Sequence, residues 1–170
     1  MNGNYWNARD RQTAQHITDH GWSVVGVSGE GRTPDWVYSI GLWHTTGKHD
    51  VAIFGLSPQR MMELTNALGD LLRQVEFMDA HEWRDFVFEQ FNVALQPVHP
   101  SWYESFFGAA IDFYQMSHLP IVQMVWPDDE GLFPWHDGVD QACQESQPML
   151  WLPRQDHPRG RWTHSDQPLS

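Results

Sequence analysis

The sequence has one cysteine, Cys143, in 170 residues, so no disulfide can form within the chain and no cysteine-rich zinc site can be built. No apolar run approaches the roughly 18 residues that a membrane span needs. Met1 to Tyr5 carry neither the charged nor the apolar region of a signal peptide, so a cytoplasmic protein without membrane contact is expected. Basic residues are scarce. Ten Lys and Arg stand against 22 Asp and Glu, a formal charge of −12. That balance argues against a nucleic-acid partner, whose phosphates need a cationic face. A Gly-rich phosphate loop, a Gly-x-Ser-x-Gly elbow and a His-Glu-x-x-His helix are also missing, which weakens the common enzyme classes that use them.

Aromatic and acidic residues are plentiful. The chain has 10 Trp and 10 His. From Asp85 to Pro153 there is no Lys or Arg, while Asp128, Asp129, Glu130, Asp137, Asp140 and Glu145 fall in that stretch. Such a half focuses cations: a metal, an amine ligand or a basic protein partner.

The pattern of elements points to an α+β domain. Ala8 to His20 reads as a helix closed by Gly21, and His16 and His20 suit its C-terminal dipole. Trp22–Val27, Trp36–Leu42 and Val51–Leu56 read as strands, with Ser28 to Pro34 as a hairpin turn and His44 to Asp50 as a polar loop. Ser57-Pro58 opens a second helix whose Met61, Leu64, Leu68, Leu71 and Val75 form one stripe. Phe91–Val98 is a further strand, with Pro97 at an edge or end. Ser101 and Glu104 have capping-box spacing ahead of a helix to Tyr114, and Ile121–Trp126 is a fifth strand. The first three strands leave no room for crossover helices. The expectation is a curved, largely antiparallel five-stranded sheet flanked by two main helices. Gly26, Gly41 and Gly55 fall inside strand patterns, as in a sheet curling toward a barrel. Residues 1–152 form one domain, and 153–170 are expected to be a mobile tail.

Trp36-Val-Tyr-Ser-Ile-Gly-Leu42, Val51-Ala-Ile-Phe-Gly-Leu56, Gln123-Met-Val-Trp-Pro-Asp128, Phe133-Pro-Trp135 and Gln147-Pro-Met-Leu150 together resemble the DUF4262 family of bacterial proteins. The resemblance implies one domain over most of the chain and carries no assigned chemistry or cofactor.

The segment from Trp126 to Asp137 is the first candidate site. Two Trp-Pro and Pro-Trp steps frame Asp128, Asp129 and Glu130, and His136-Asp137 follows. Prolines lower the entropy of ordering such a loop, and aromatic walls can raise a carboxyl pKa. Asp128, Asp129 and His136 are therefore candidate acid–base residues. The same residues also make an ordinary solvated turn pinned by Trp126, Phe133 and Trp135. Trp36, Tyr38, Ser39, Trp126, Trp135 and Asp137 are candidate ligand contacts, provided that the early strands close over a shared hollow with the turn. His44 and His49, beside Asp50, are a weaker candidate for a divalent cation. Cys143 has no neighbouring cation to activate it.

Three functions compete. A binding module with an aromatic, acidic pocket for a cationic small molecule or protein segment is the leading one. An Asp/His acid–base enzyme, with or without a metal, is the second. The third is a flavin site on a split-barrel-like sheet, for which Arg32, Lys48 and Arg60 are the only cations near the early strands.

Overall fold

The computed structural model describes residues 6–76, 85–88 and 91–163. Asn7 starts helix α1 (Ala8–His20): its side chain accepts from the Asp10 amide at 2.9 Å, and Asp10 accepts from the Asn7 N–H at 3.2 Å. This reciprocal cap satisfies two of the amides that a helix start leaves open. Gly21, at φ 98°, ends the helix in the left-handed conformation that its sequence position suggested.

Strands β1 (Ser23–Val27) and β2 (Trp36–Ile40) form the expected hairpin, and β3 (Asp50–Phe54) pairs antiparallel with β2. A short helix, α2 (Leu42–Thr46), takes the end of the expected second strand and the first part of the stretch expected to be a polar loop. Helix α3 (Pro58–Gln74) follows, capped by Ser57. Met61, Leu64, Leu68 and Leu72 are its buried apolar positions, so the stripe passes through Leu72 rather than Leu71. Strands β4 (Asp85–Phe88), β5 (Phe91–Pro97) and β6 (Ile121–Val125) complete a sheet with the order β1-β2-β3-β6-β5-β4.

The five expected strands are all present, and β4 adds a short edge in the stretch with no clear pattern. The sheet is mixed. Its β3–β6 pair is parallel, and every other pair is antiparallel. It is also open rather than barrel-like, with β1 and β4 as its two edges. Of the three glycines expected to bend strands, Gly26 lies inside β1, whereas Gly41 and Gly55, at φ 97° and 84°, end β2 and β3. Each of these last two also faces a close neighbour, Ile17 and the Ser146 backbone respectively, that a side chain would strike.

Alternation along the strands supplies two cores. Val37, Val51, Ile53, Val122 and Met124 face α3, while Tyr38, Ile40, Ala52 and Phe54 face the aromatic residues of the chain after His99. That second layer is broken, not one helix. His99 Nδ1 accepts from the Ser101 amide at 3.2 Å, and a 3-10 turn (Pro100–Trp102) leads into α4 (Tyr103–Phe106) and α5 (Gly108–Tyr114). Ile17 and Ala14 of α1 pack on the same side.

Residues 153–163, within the expected tail, pack against the body because they carry groups that the core takes up. Trp162 is only 5% exposed, with its ring 5.6 Å from Phe54 and 6.0 Å from Phe106. His157 Nε2 accepts from the Met149 amide at 3.1 Å, and the Arg154 guanidinium lies 5.1 Å from the Trp102 ring. Residues 164–170 lie outside the described residues. Trp162→Ala should therefore lower unfolding stability by about 3 kcal/mol in urea titration, as removal of a core aromatic does. A loss within experimental error would mean that the segment is not docked.

Candidate functional site

The acidic turn is built around Asp128. Its Oδ1 accepts from the Glu130 and Leu132 amides, and its Oδ2 from the Asp140 amide, each at 2.9 Å. These bonds, the one from Asp140 foremost, hold its carboxyl below the usual range. Asp140 in turn caps α6 (Gln141–Ser146) by accepting from the Cys143 amide at 3.2 Å. His136 serves the same backbone, its Nδ1 accepting from the Phe133 N–H at 2.9 Å. Phe133 is buried and stacks on Trp135 at 4.9 Å, and Trp151 meets Trp135 edge-on. Thus Asp128 and His136 each satisfy the loop's own amides, while Asp129, Glu130 and Asp137 stay exposed.

The turn is attached to the sheet by Trp126. Its Nε1 donates to the Phe54 carbonyl at 2.7 Å, and its backbone exchanges bonds with the Gln147 side chain at 3.0 and 2.8 Å. Between the turn, α6 and the start of α3 lies a cleft of about 800 Å³. Leu56 and Trp126 supply apolar wall; Asp128, Asp129, Glu130 and Asp140 supply carboxylates; Arg60 is the one cation on the lining among the described residues. Cys143 also borders it, but burial pushes its thiol up to about 11, which leaves it a weak nucleophile at neutral pH.

The early strands do not close over this cleft. Tyr38 and Ser39 are buried, at 2% and 1% exposure, and Trp36 packs with the α4–α5 core whereas Trp126 packs with the α3 core. The expected shared hollow is therefore divided by β3. The metal candidate also separates: His44 is exposed on α2, His49 is 1% exposed, and no group of three ligating side chains suited to a metal occurs among the described residues. The cations considered for a flavin phosphate are scattered. Lys48 Nζ donates to the Leu72 carbonyl at 2.8 Å, Arg60 borders the acidic cleft, and Arg32 borders a different pocket.

At the other end of β3 is a polar centre that the sequence did not suggest. Asp50 is 1% exposed. Its Oδ1 accepts from Ser39 Oγ at 2.6 Å and the Leu42 amide at 3.0 Å, and its Oδ2 accepts from the Tyr114 hydroxyl at 2.7 Å. The Gly41 N–H donates to that hydroxyl at 2.7 Å, and the Val51 N–H donates to Ser39 Oγ at 3.0 Å. Burial outweighs these bonds and pushes the Asp50 carboxyl up to about 6. Burial and the Asp50 charge push the Tyr114 phenol upward as well, so it stays a donor. The preceding His49 is driven the other way, down to about 4, because burial disfavours its cation. Its Nδ1 has no hydrogen-bond partner among the described residues. A signal was available in the adjacent Ser39 and Asp50 ends of two strongly apolar strands, but nothing in the sequence placed Tyr114 beside them.

The fold is thus an α+β domain with an open mixed sheet covered on both faces. A family model described as a domain of unknown function, DUF4262, matches residues 16–140, and the chain belongs to that family. No curated protein and no solved structure matches it. The matched span contains both the Asp50 centre and the acidic turn.

The paired shifts set a pH dependence. Asp50 has a folded value near 6 against 3.8 for the free group, so its contribution is present below about pH 4 and is lost as pH rises through 6. His49 has a folded value near 4 against 6.5, so its contribution is present above 6.5 and is lost as pH falls through 4. Over that window the two nearly cancel. Removing His49 (His49→Leu) should expose the Asp50 slope: relative to wild type, stability falls by roughly 3 kcal/mol from pH 4 to 6.5. Asp50→Asn should tilt the difference the opposite way, and urea titrations at a series of pH values measure both. Parallel profiles for all three proteins would contradict these ionisations.

Proposed function

We propose that this domain is a binding module, and that the acidic cleft takes a cationic small molecule or a basic protein segment. One observation carries it: a fixed indole, Trp126, and four carboxylates share a cleft that a single guanidinium lines. A cation there gains attraction from exposed Asp129 and Glu130 and from the face of the indole. The volume is in the range of small-ligand clefts. Binding is favoured over acid–base catalysis because Asp128 is committed to three backbone amides. A carboxylate so held is a poor proton donor.

Calorimetric titration with spermidine, and separately with a Lys-rich peptide, tests the reading. Saturable binding is expected, weakened about fivefold in an Asp129→Asn/Glu130→Gln double variant and reduced further by salt. Both side chains are exposed, so the fold should be unaffected. Equal affinity in the double variant, or no binding of either probe at low ionic strength, would remove the proposal.

A further inference from the structure

Separate from the acidic cleft, a pocket of about 390 Å³ lies beside the β1–β2 turn. Its inner surface is aromatic: Trp36 meets Phe106 edge-on at 5.3 Å, and Phe106 meets Trp162 at 6.0 Å. Both indole N–H groups are already used. Trp36 Nε1 donates to the Phe106 carbonyl at 3.1 Å and Trp162 Nε1 to the Glu145 carbonyl at 3.2 Å. The floor therefore offers flat apolar surface, suited to a ring rather than to a polar chain.

The rim has a different chemistry from the rest of this acidic chain. Arg32 and Arg161 both border the pocket. Arg32 makes no side-chain hydrogen bond or ion pair among the described residues, and Arg161 reaches Glu145 only at 3.9 Å. Glu30 also stands on the rim, so the mouth carries two guanidiniums and one carboxylate. The turn that presents Arg32 is ordered by its own side chains. Asp35 Oδ1 accepts from the Gly29 amide at 2.9 Å, and Ser28 Oγ accepts from the Glu30 amide at 3.1 Å. Glu30 is held there at φ 53°, a left-handed conformation uncommon for a residue with a side chain.

From this juxtaposition we propose that the pocket binds a small planar aromatic anion, an aryl carboxylate, with its ring on Trp36, Phe106 and Trp162 and its carboxylate between Arg32 and Arg161. Guanidinium is suited to the end group because its planar donors match a carboxylate's two oxygens. The site does not depend on the acidic cleft, which selects the opposite charge.

The test titrates the full chain with 2-naphthoate and with 2-naphthylmethylamine, which has a similar ring and a cationic end. Calorimetry or ligand-detected NMR should show saturable binding of the acid and much weaker binding of the amine at this pocket. Arg32→Gln and Arg161→Gln should each weaken the acid about five- to tenfold, as loss of one charge-assisted bond does. Glu30→Gln should strengthen it. All three side chains are exposed, and unchanged melting temperatures would confirm that each variant is folded. Because the acidic cleft can also take the amine, its signal is assigned in the Asp129→Asn/Glu130→Gln background. The proposal is overturned if acid and amine bind that background equally, if the arginine variants keep full affinity, or if the acid shows no binding at about 1 mM.

Discussion

A carboxylate without solvent organises one end of this domain. Asp50 gathers the β2 end through Ser39, the start of α2 through the Leu42 amide, and the end of α5 through Tyr114. Its own amide donates to the Pro120 carbonyl at 2.9 Å, where β6 begins alongside it. Burying a carboxylate is costly, and each donor offsets part of that cost. Removing any one leaves the others facing an incompletely satisfied charge. The left-handed turn at Gly41 belongs to the same device, since it aims two successive amides, its own at Tyr114 and that of Leu42 at Asp50.

Tryptophan ties distant segments of the chain together. Trp36, Trp102, Trp126 and Trp162 each donate their indole N–H to a main-chain carbonyl of a distant segment. Trp22 does the same to the Asn66 side chain at 2.9 Å. Each ring fills apolar volume while its one polar atom satisfies an oxygen left open where a strand, helix or turn stops. The high tryptophan content follows from this double use. An aliphatic side chain can plug the same space but cannot close the carbonyl. Trp102 and Trp162 also explain why residues 153–163 stay on the body: one indole holds Leu152 and the other brings the segment back to Glu145.

Much of the framework was legible because it is encoded locally. The caps at Gly21 and Ser57, the stripe of α3 and the apolar runs of β2, β3 and β6 depend on neighbours in sequence. The errors share a different cause. Gly41 and Gly55 looked like bends inside strands because a pattern cannot distinguish a left-handed strand end from a curve, and Ile17 and Ser146, which occupy the space beside them, come from far away. Phe107 divides what periodicity joined into one helix. The acidic turn was located correctly as a segment, but the roles within it depend on Asp128 meeting the Asp140 amide twelve positions on. His49 and Asp50 looked like polar loop residues suited to a metal. They are instead buried, and the adjacent residues are pushed in opposite directions by the same lack of water.

Phe54 is tied to residues of both hollows. Its carbonyl receives Trp126 from the acidic cleft, while its ring lies 6.0 Å from Trp36 and 5.6 Å from Trp162 in the aromatic pocket. Phe54 itself is fully buried at the end of β3, where Gly55 turns the chain away. It lines neither hollow itself and is fixed by strand pairing with Trp36. No ion pair links the two rims among the described residues: carboxylates of the 128–140 loop outnumber Arg60 on one, and Arg32 and Arg161 outnumber Glu30 on the other. The C-terminal ends of β3 and β6 and the N-terminal end of β2 lie at one end of the sheet, so the segments that line both hollows, after β3 and β6 and before β2, leave the sheet from that same end.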